Sequence, residues 1–368
     1  MSSCSNKWLS VAYFTECLGC FLSFLMNAIF LNLLCKKQKT PLGNYKYLMM
    51  AFSGICMFYS LCSFLIKPNV HVTGNYFIIF TVYNNLMLPK SLGSISLALS
   101  TECFFSAIYG SCYAMMLSLI TIQFYYRFTS VSDPMTIARR FSLKALAFLA
   151  LLVILISGAF GSMSYILYGP NVNKDSELSK DFYTTYCLYS DEYVYIGPQY
   201  SFHNMENKKI YHILSIFGLC ITAIMMWVNF LTAVYFIYRI YKVLTDHGLP
   251  CFASKKLQKQ LFKTLILQTL FPMICMYIPL TFVFVFSIFG VGSESVSNLI
   301  TMFAAIYPSL NPLLAMMCIK SMKTKIKNII CCYINRRRQV DVMNSDDTDL
   351  RVVYTLQDIS VRNGDAVA

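Results

Sequence analysis

Charge is scarce in this 368-residue chain, and acidic charge most of all. Asp, Glu, Lys and Arg make up 13% of the residues against 57% hydrophobic ones, where a soluble domain typically carries about 25% charged residues. That balance excludes a soluble globular protein. Catalytic and metal signatures are missing as well. The four histidines (His71, His203, His212, His247) are scattered, and no Cys-x-x-Cys pair with metal spacing is followed by a second one. No Gly-rich phosphate loop and no Gly-x-Ser-x-Gly turn occurs. Neither an enzyme nor a metal or cofactor carrier is expected. No Asn-x-Ser/Thr acceptor exists, so glycosylation gives no mark of sidedness. No cleavable signal peptide is expected, because the first apolar run is too long and only Lys7 precedes it.

What is present in abundance is long apolar sequence. Seven runs, 9–34, 47–66, 95–124, 145–168, 210–238, 264–289 and 295–319, contain only two charged residues, Glu16 and Glu102. Each is long enough to cross a bilayer core, which needs roughly 20 helical residues. The fold class expected is an all-α membrane protein, a seven-transmembrane helix bundle with its N-terminus outside and its C-terminus cytoplasmic. That orientation follows from charge: it puts 23 of the 30 Lys and Arg residues on the inner side, as the positive-inside bias requires. The net charge of +13 is that bias summed over one face, and no nucleic-acid partner is implied.

The inner loops are too short for an inserted enzymatic domain, so function must reside in the bundle, expected over 1–327. Between the second and third runs a small apolar patch, 76–82, is too short to span; a plain loop is expected, with a hairpin or lid as the alternative. The longest outer segment, 169–209, holds six acidic residues, four lysines and six tyrosines. The membrane interface is the expected place for those tyrosines, with a ligand vestibule the alternative. After the last run, Met322, Ile326, Ile329 and Tyr333 recur at helical spacing among lysines and Arg336, Arg337 and Arg338. A juxtamembrane amphipathic helix lying on anionic membrane lipids is expected over 320–338, followed by a disordered tail over 339–368. Cys331 and Cys332 stand either to carry a palmitoyl anchor or to remain two thiols in a reducing compartment.

Cys103, near the outer end of the third run, and Cys187, in the long outer loop, are the cysteines placed to bridge in an oxidising compartment. Tyr126-Arg127-Phe128 closes the third run at its inner end, 24 residues after Cys103, or about 36 Å of helix. An Arg there can hold neighbouring groups in one state and receive a partner in another. Pro272 and Pro279 bend the sixth run, and Tyr307-Pro308-Ser309-Leu310-Asn311-Pro312 puts two more prolines in the seventh around an Asn able to satisfy freed backbone groups. Four prolines in two consecutive helices suggest a hinge. On the third helix Glu102, Ser106, Tyr109 and Tyr113 follow at spacings of 4, 3 and 4. That face is expected to turn inward and bind a small ligand, interhelical bonding being the alternative.

Several stretches together resemble one family. They are Gly43-Asn44-Tyr45-Lys46-Tyr47-Leu48, Tyr125-Tyr126-Arg127-Phe128, the run from Leu257 through Pro272 ending at Tyr277-Ile278-Pro279, and Tyr307 to Pro312. In order and spacing, from about Trp8 to Lys327, the chain resembles nematode seven-transmembrane chemoreceptors of the Str superfamily. The resemblance implies a G-protein-coupled chemosensory receptor for a small, volatile odorant, signalling through a heterotrimeric G protein from the plasma membrane of a sensory cilium. It also implies coupling and switch roles for Tyr126, Arg127, Phe128, Pro272, Pro279, Tyr307, Asn311 and Pro312. Asn311 departs from the Asp expected in relatives, keeping hydrogen bonding while losing charge. The competing classes are a transporter or channel, which usually carries midplane ionisable residues or internal repeats, and a non-signalling scaffold.

Overall fold

The structure is a computed structural model that describes residues 7–35, 45–73, 76–82, 95–133 (side chains from 107 on), 135–170, 172–203, 208–245, 252–274, 278, 281–282, 294–320, 322–328 and 331. The chain divides into two units, Met1–Cys318 and Ile319–Ala368. In the first, helices α1 (Lys7–Cys35) and α2 (Tyr45–Ile66) lead into strands β1 (Asn69–Val72) and β2 (Phe77–Val82). Helices α3 (Ile95–Ser132), α4 (Ile137–Arg140), α5 (Leu143–Tyr168) and α6 (Val172–Tyr186) follow. Three strands, β3 (Tyr193–Ile196), β4 (Ser201–His203) and β5 (Lys209–Tyr211), precede α7 (Ile213–Thr245), α8 (Phe252–Pro272) and α9 (Glu294–Cys318). In the second unit 322–328 are helical, opening with Met322 and Lys323 amides on the Ile319 carbonyl.

Among the described residues six helices, α1, α2, α3, α5, α7 and α9, are long and apolar enough to cross a membrane. A helix satisfies its own backbone polar groups, which is what lipid demands of a spanning segment. Broad exposed apolar faces, such as Phe14 and Phe21 on α1, Phe148 and Leu155 on α5 and Ile224 and Leu231 on α7, agree with lipid contact. The expected sixth run is helical to Pro272 and continues in wider turns at 273–274; of its remainder only Ile278, Thr281 and Phe282 lie among the described residues.

Helix ends overrun the apolar boundaries. The third helix continues to Ser132, so Tyr126, Arg127 and Phe128 sit inside it rather than closing it, and α8 starts at Phe252, ahead of its apolar run. Hydropathy marks where lipid ends, whereas a formed helix adds each further hydrogen bond cooperatively. The fifth run overshoots in the other direction: 210–211 belong to β5, and the helix starts at Ile213.

Close approach fixes the bundle. Helix α1 packs against α9 where Gly19 faces Ala305, and a Cβ on Gly19 would stand 2.5 Å from the Ala305 carbonyl oxygen. Farther along the same seam Asn27 Nδ2 donates to the Pro308 carbonyl at 3.1 Å and to Ser23 O at 2.8 Å. Pro312 has no N–H, so Pro308, four residues earlier, would otherwise keep an unused acceptor. Asn27, not Asn311, supplies the missing donor; Asn311 instead accepts at its carbonyl from Gln268 Nε2 at 2.9 Å, and its side chain meets the Cys56 thiol. The proline-rich stretch thus remains helical throughout α9.

The all-α expectation fails at one end of the bundle. Strands β1, β2 and β3 form an antiparallel sheet in that order, and β4 pairs with β5 in a two-stranded ribbon. The segment expected as a plain loop is therefore a hairpin, Val70 opposite Ile79 and Val72 opposite Phe77. Strand alternation gives this sheet two faces. Val70, Val72, Phe77 and Tyr200 cluster with Ile300 of α9, while Ile78, Phe80, Val82, Tyr193 and Tyr195 cluster with Leu178, Phe182 and Tyr186 of α6. Tyr186, Tyr193, Tyr195 and Tyr200 are buried, so these tyrosines do not belong to a membrane interface; Tyr183 and Tyr189 are exposed. Two loop acids are used here: Asp181 accepts from the Tyr76 hydroxyl and Asp175 from that of Tyr195.

Candidate ligand cavity

Beneath the sheet lies a cavity of about 400 Å³, within the range of small-molecule sites. Its roof is Pro68, Val70, Phe77, Ile79, Ile196 and Gly197. Gly197 is obligatory there, since a Cβ would collide with the Phe77 carbonyl oxygen and stand 2.8 Å from Ile78 Cα. Lys174 fastens the roof: its buried Nζ donates to Gly197 O at 2.8 Å, Gly169 O at 2.9 Å and Tyr168 O at 3.3 Å. One ammonium thereby joins the ends of α5 and β3 to the first turns of α6.

The walls come from α2, α3, α5, α7 and α9, in Tyr59, Tyr113, Phe160, Thr222, Trp227 and Thr301 among others. No Asp, Glu, Lys, Arg or His lines it among the described residues. Among the described residues its polar side-chain groups are mostly hydroxyls, with the Trp227 indole N–H and the Cys220 thiol beside them. Tyr59 donates to Tyr109 Oη at 2.6 Å with the rings stacked at 4.9 Å, and Tyr168 Oη meets Thr222 Oγ1 at 3.2 Å. Behind the tyrosine pair a buried carboxylate, Glu16, accepts from Ser63 Oγ at 2.6 Å. Such a wall suits an uncharged, mainly apolar molecule with one or two groups able to bond to hydroxyls.

Of the α3 face expected to bind ligand, Tyr109 and Tyr113 line the cavity, one helical turn apart. The side chains of Glu102 and Ser106 lie outside the described residues, as does that of Cys103. Cys187, at a left-handed φ of 55° just past α6, is disulfide-bonded. Tyr59, Thr222, Trp227 and the entire roof were not among the expected site residues. For Tyr59 no spacing singles it out within an apolar helix. The roof had a signal, the continuous apolar run of 76–82 between turns, which is how a strand buried on both faces reads.

Tyr126, Arg127 and Phe128 lie toward the other end of α3. Arg127 is buried with its guanidinium 3.4 Å from the ring centroid of Tyr45, whose hydroxyl donates to Gln123 Oε1 at 3.1 Å. Tyr126 packs edge-on against Phe141 at 4.7 Å, and Arg239 lies 5.3 Å over the Phe128 ring. The Tyr45 ring thus covers one face of the Arg127 guanidinium. Tyr307 is buried with its ring parallel to Phe271, Pro272 is buried in the last turn of α8, and Asn311 and Pro312 are buried in α9. Cys331 is an exposed free thiol; Pro279, Cys332 and the tail from 332 on lie outside the described residues.

Apolar helices long enough to cross a bilayer, with their broad exposed apolar faces, mark a multi-pass membrane protein. The profile of the serpentine type 7TM GPCR chemoreceptor Str family matches residues 12–327, and the chain belongs to that family. It is 28% identical over 341 residues to serpentine receptor class r-10 of Caenorhabditis elegans, covering 92% of this chain and 95% of that protein. Its counterpart in Caenorhabditis briggsae is 26% identical, with coverage of 92% and 95%. G-protein coupled receptor str-33 of C. elegans is 23% identical, over 80% of this chain and 84% of the relative.

Proposed function

We propose that this chain is a chemosensory receptor that binds a small uncharged compound, of odorant type, in the roofed cavity and signals to a heterotrimeric G protein at the Arg127 end. The observation that carries the reading is the cavity itself: hydroxyl-studded, free of acidic and basic side chains among the described residues, and lined in part by the same helix that carries Arg127. Tyr113 and Arg127 are 14 residues apart, about 21 Å of helix. The proposal includes seven spans, the sheet end and N-terminus outside and the C-terminus inside, as the distribution of basic residues requires. It includes a plasma-membrane and ciliary location, and Cys103 as the partner of Cys187. The second unit would lie along anionic lipid through the half-buried Ile326, Met322 being buried within the protein, with Cys331 and Cys332 open to palmitoylation.

Ligand acts by population shift: a compound that binds the open state better than the closed one moves the equilibrium by its differential affinity. Expression in a reporter cell with a chemical panel tests this. A reproducible response is expected, and Tyr109→Phe or Tyr113→Phe, which keep volume and remove a hydroxyl, should shift agonist potency without changing surface level. Unchanged potency in both variants would move the site elsewhere.

A further inference from the structure

A second cavity, of about 340 Å³, lies between α7 and the segment beyond α8, lined by Trp227, Phe230, Met273, Ile278, Thr281 and Phe282. Two of these residues, Trp227 and Thr281, also line the roofed cavity, so the two spaces share a wall. Its rim is apolar and turned outward, with Ile278 and Phe282 42% and 54% exposed, and Trp227, 50% exposed, reaches from this rim to the wall shared with the roofed cavity. Trp227 stands 14 residues into a 33-residue helix, about 21 Å from its start, which is mid-bilayer depth. In the membrane placement proposed above the mouth faces hydrocarbon, while the sheet and the α6 layer behind it stand over the roofed cavity at the other end.

We propose that the roofed cavity fills from the bilayer, through this passage between α7 and the side chains of Ile278, Thr281 and Phe282, and that its ligand is a small neutral molecule dissolved in the lipid. Trp227 and Thr281 are the inner threshold; Ile278 and Phe282 are the outer lip. The proposal rests on the reading of the roofed cavity as the ligand site, and it adds the route and the solubility class. A charged or strongly hydrated compound is disfavoured twice, by the hydrocarbon it must cross and by a wall whose described residues carry no counter-charge. The membrane acts as the reservoir, so the concentration that sets occupancy is the one in lipid.

The test needs no known agonist. The full chain in proteoliposomes is exposed to a neutral aryl trifluoromethyl diazirine, which partitions into bilayers, then flashed at set times and mapped for adducts by peptide mass spectrometry. Adducts on Phe148 and Leu155 report lipid contact; adducts on Tyr109, Tyr113 and Ile79 report filling of the cavity. Ile278→Trp, which narrows the lip, is expected to slow cavity labelling by at least about fivefold with Phe148 unchanged, as a gate alters rates. Phe282→Ala, which widens it, is expected to speed labelling and serves should the larger side chain fail to fold. Equal cavity labelling in wild type and both variants would overturn the passage. So would a cavity left unlabelled while Phe148 is labelled, or faster labelling on loosening the roof with Gly197→Ala and not on Phe282→Ala. The ligand-site reading fails separately, if Tyr109→Phe and Tyr113→Phe leave agonist potency untouched while the lip variants still control the probe.

Discussion

Replacing Asn27 by Ala tests whether α1 repairs the proline break in α9. The substitution removes the 3.1 Å hydrogen bond to Pro308 O and the 2.8 Å bond to Ser23 O within its own helix. A buried acceptor left without a donor costs about 1–3 kcal/mol, while interhelical hydrogen bonds in membranes average about 0.6 and reach about 1.7 kcal/mol. A loss of about 1–2 kcal/mol is expected. The informative measurement is the cycle with Pro312→Ala, which restores an N–H four residues after Pro308. In that background the carbonyl has its own helical donor, so Asn27→Ala should cost about 1 kcal/mol less; the Ser23 bond is lost in both backgrounds and cancels. Reversible unfolding in mixed micelles, followed by far-ultraviolet circular dichroism for all four proteins, yields the coupling. Equal costs in the two backgrounds, within about 0.3 kcal/mol, would refute the claim that Asn27 serves the proline.

Gly197→Ala should drive β3 from β2 and cost about 1–3 kcal/mol by overpacking, seen as lower surface level, whereas Gly54→Ala, with nothing within 4 Å, should be silent. His71 bonds to the Tyr186 hydroxyl, and burial pushes its pKa from 6.5 down to about 4 against the opposing pull of Asp181. Since the unfolded state takes up the proton first, stability should be level above pH 6.5 and fall by about 3 kcal/mol as pH drops toward 4; His71→Phe should flatten that slope in unfolding scans. Arg127→Ala should keep ligand binding and abolish or deregulate the G-protein response, read as agonist-stimulated nucleotide exchange. Tyr45→Leu removes a desolvated cation–π contact worth about 2 kcal/mol and should raise ligand-free exchange by up to about thirtyfold. Non-reducing peptide mapping of surface protein should recover Cys187 linked to Cys103; two free thiols would end that pairing.

Much of the bundle was legible because lipid imposes a single requirement, a long apolar helix, and composition reports it directly. Tyr109 and Tyr113 were legible for a related reason: polar groups four apart on an apolar helix have to turn inward. The roof was not. Its strand 77–82 is apolar on both faces, one against the bundle and one against α6, so the alternation that usually betrays a strand is absent. Helix α6 carried a readable stripe, Leu178, Phe182 and Tyr186 at spacings of 4, hidden among acids and lysines that suggested a solvated loop. Asn27 shows a different limit. Its role depends on Pro308 and Pro312, 281 and 285 residues away, and no local pattern carries that relation.

The two-faced sheet separates two kinds of evolutionary freedom. Along β2, Phe77 and Ile79 touch the cavity, whereas Ile78, Phe80 and Val82 hold α6. Substitutions at alternate positions can therefore reshape what the chamber admits while the intervening positions keep the roof attached. A lineage under pressure to detect new compounds could revise the ceiling residue by residue without renegotiating its support, and the same partition offers an experimenter a small library: Val70, Phe77, Ile79 and Ile196 varied together, with their neighbours left alone.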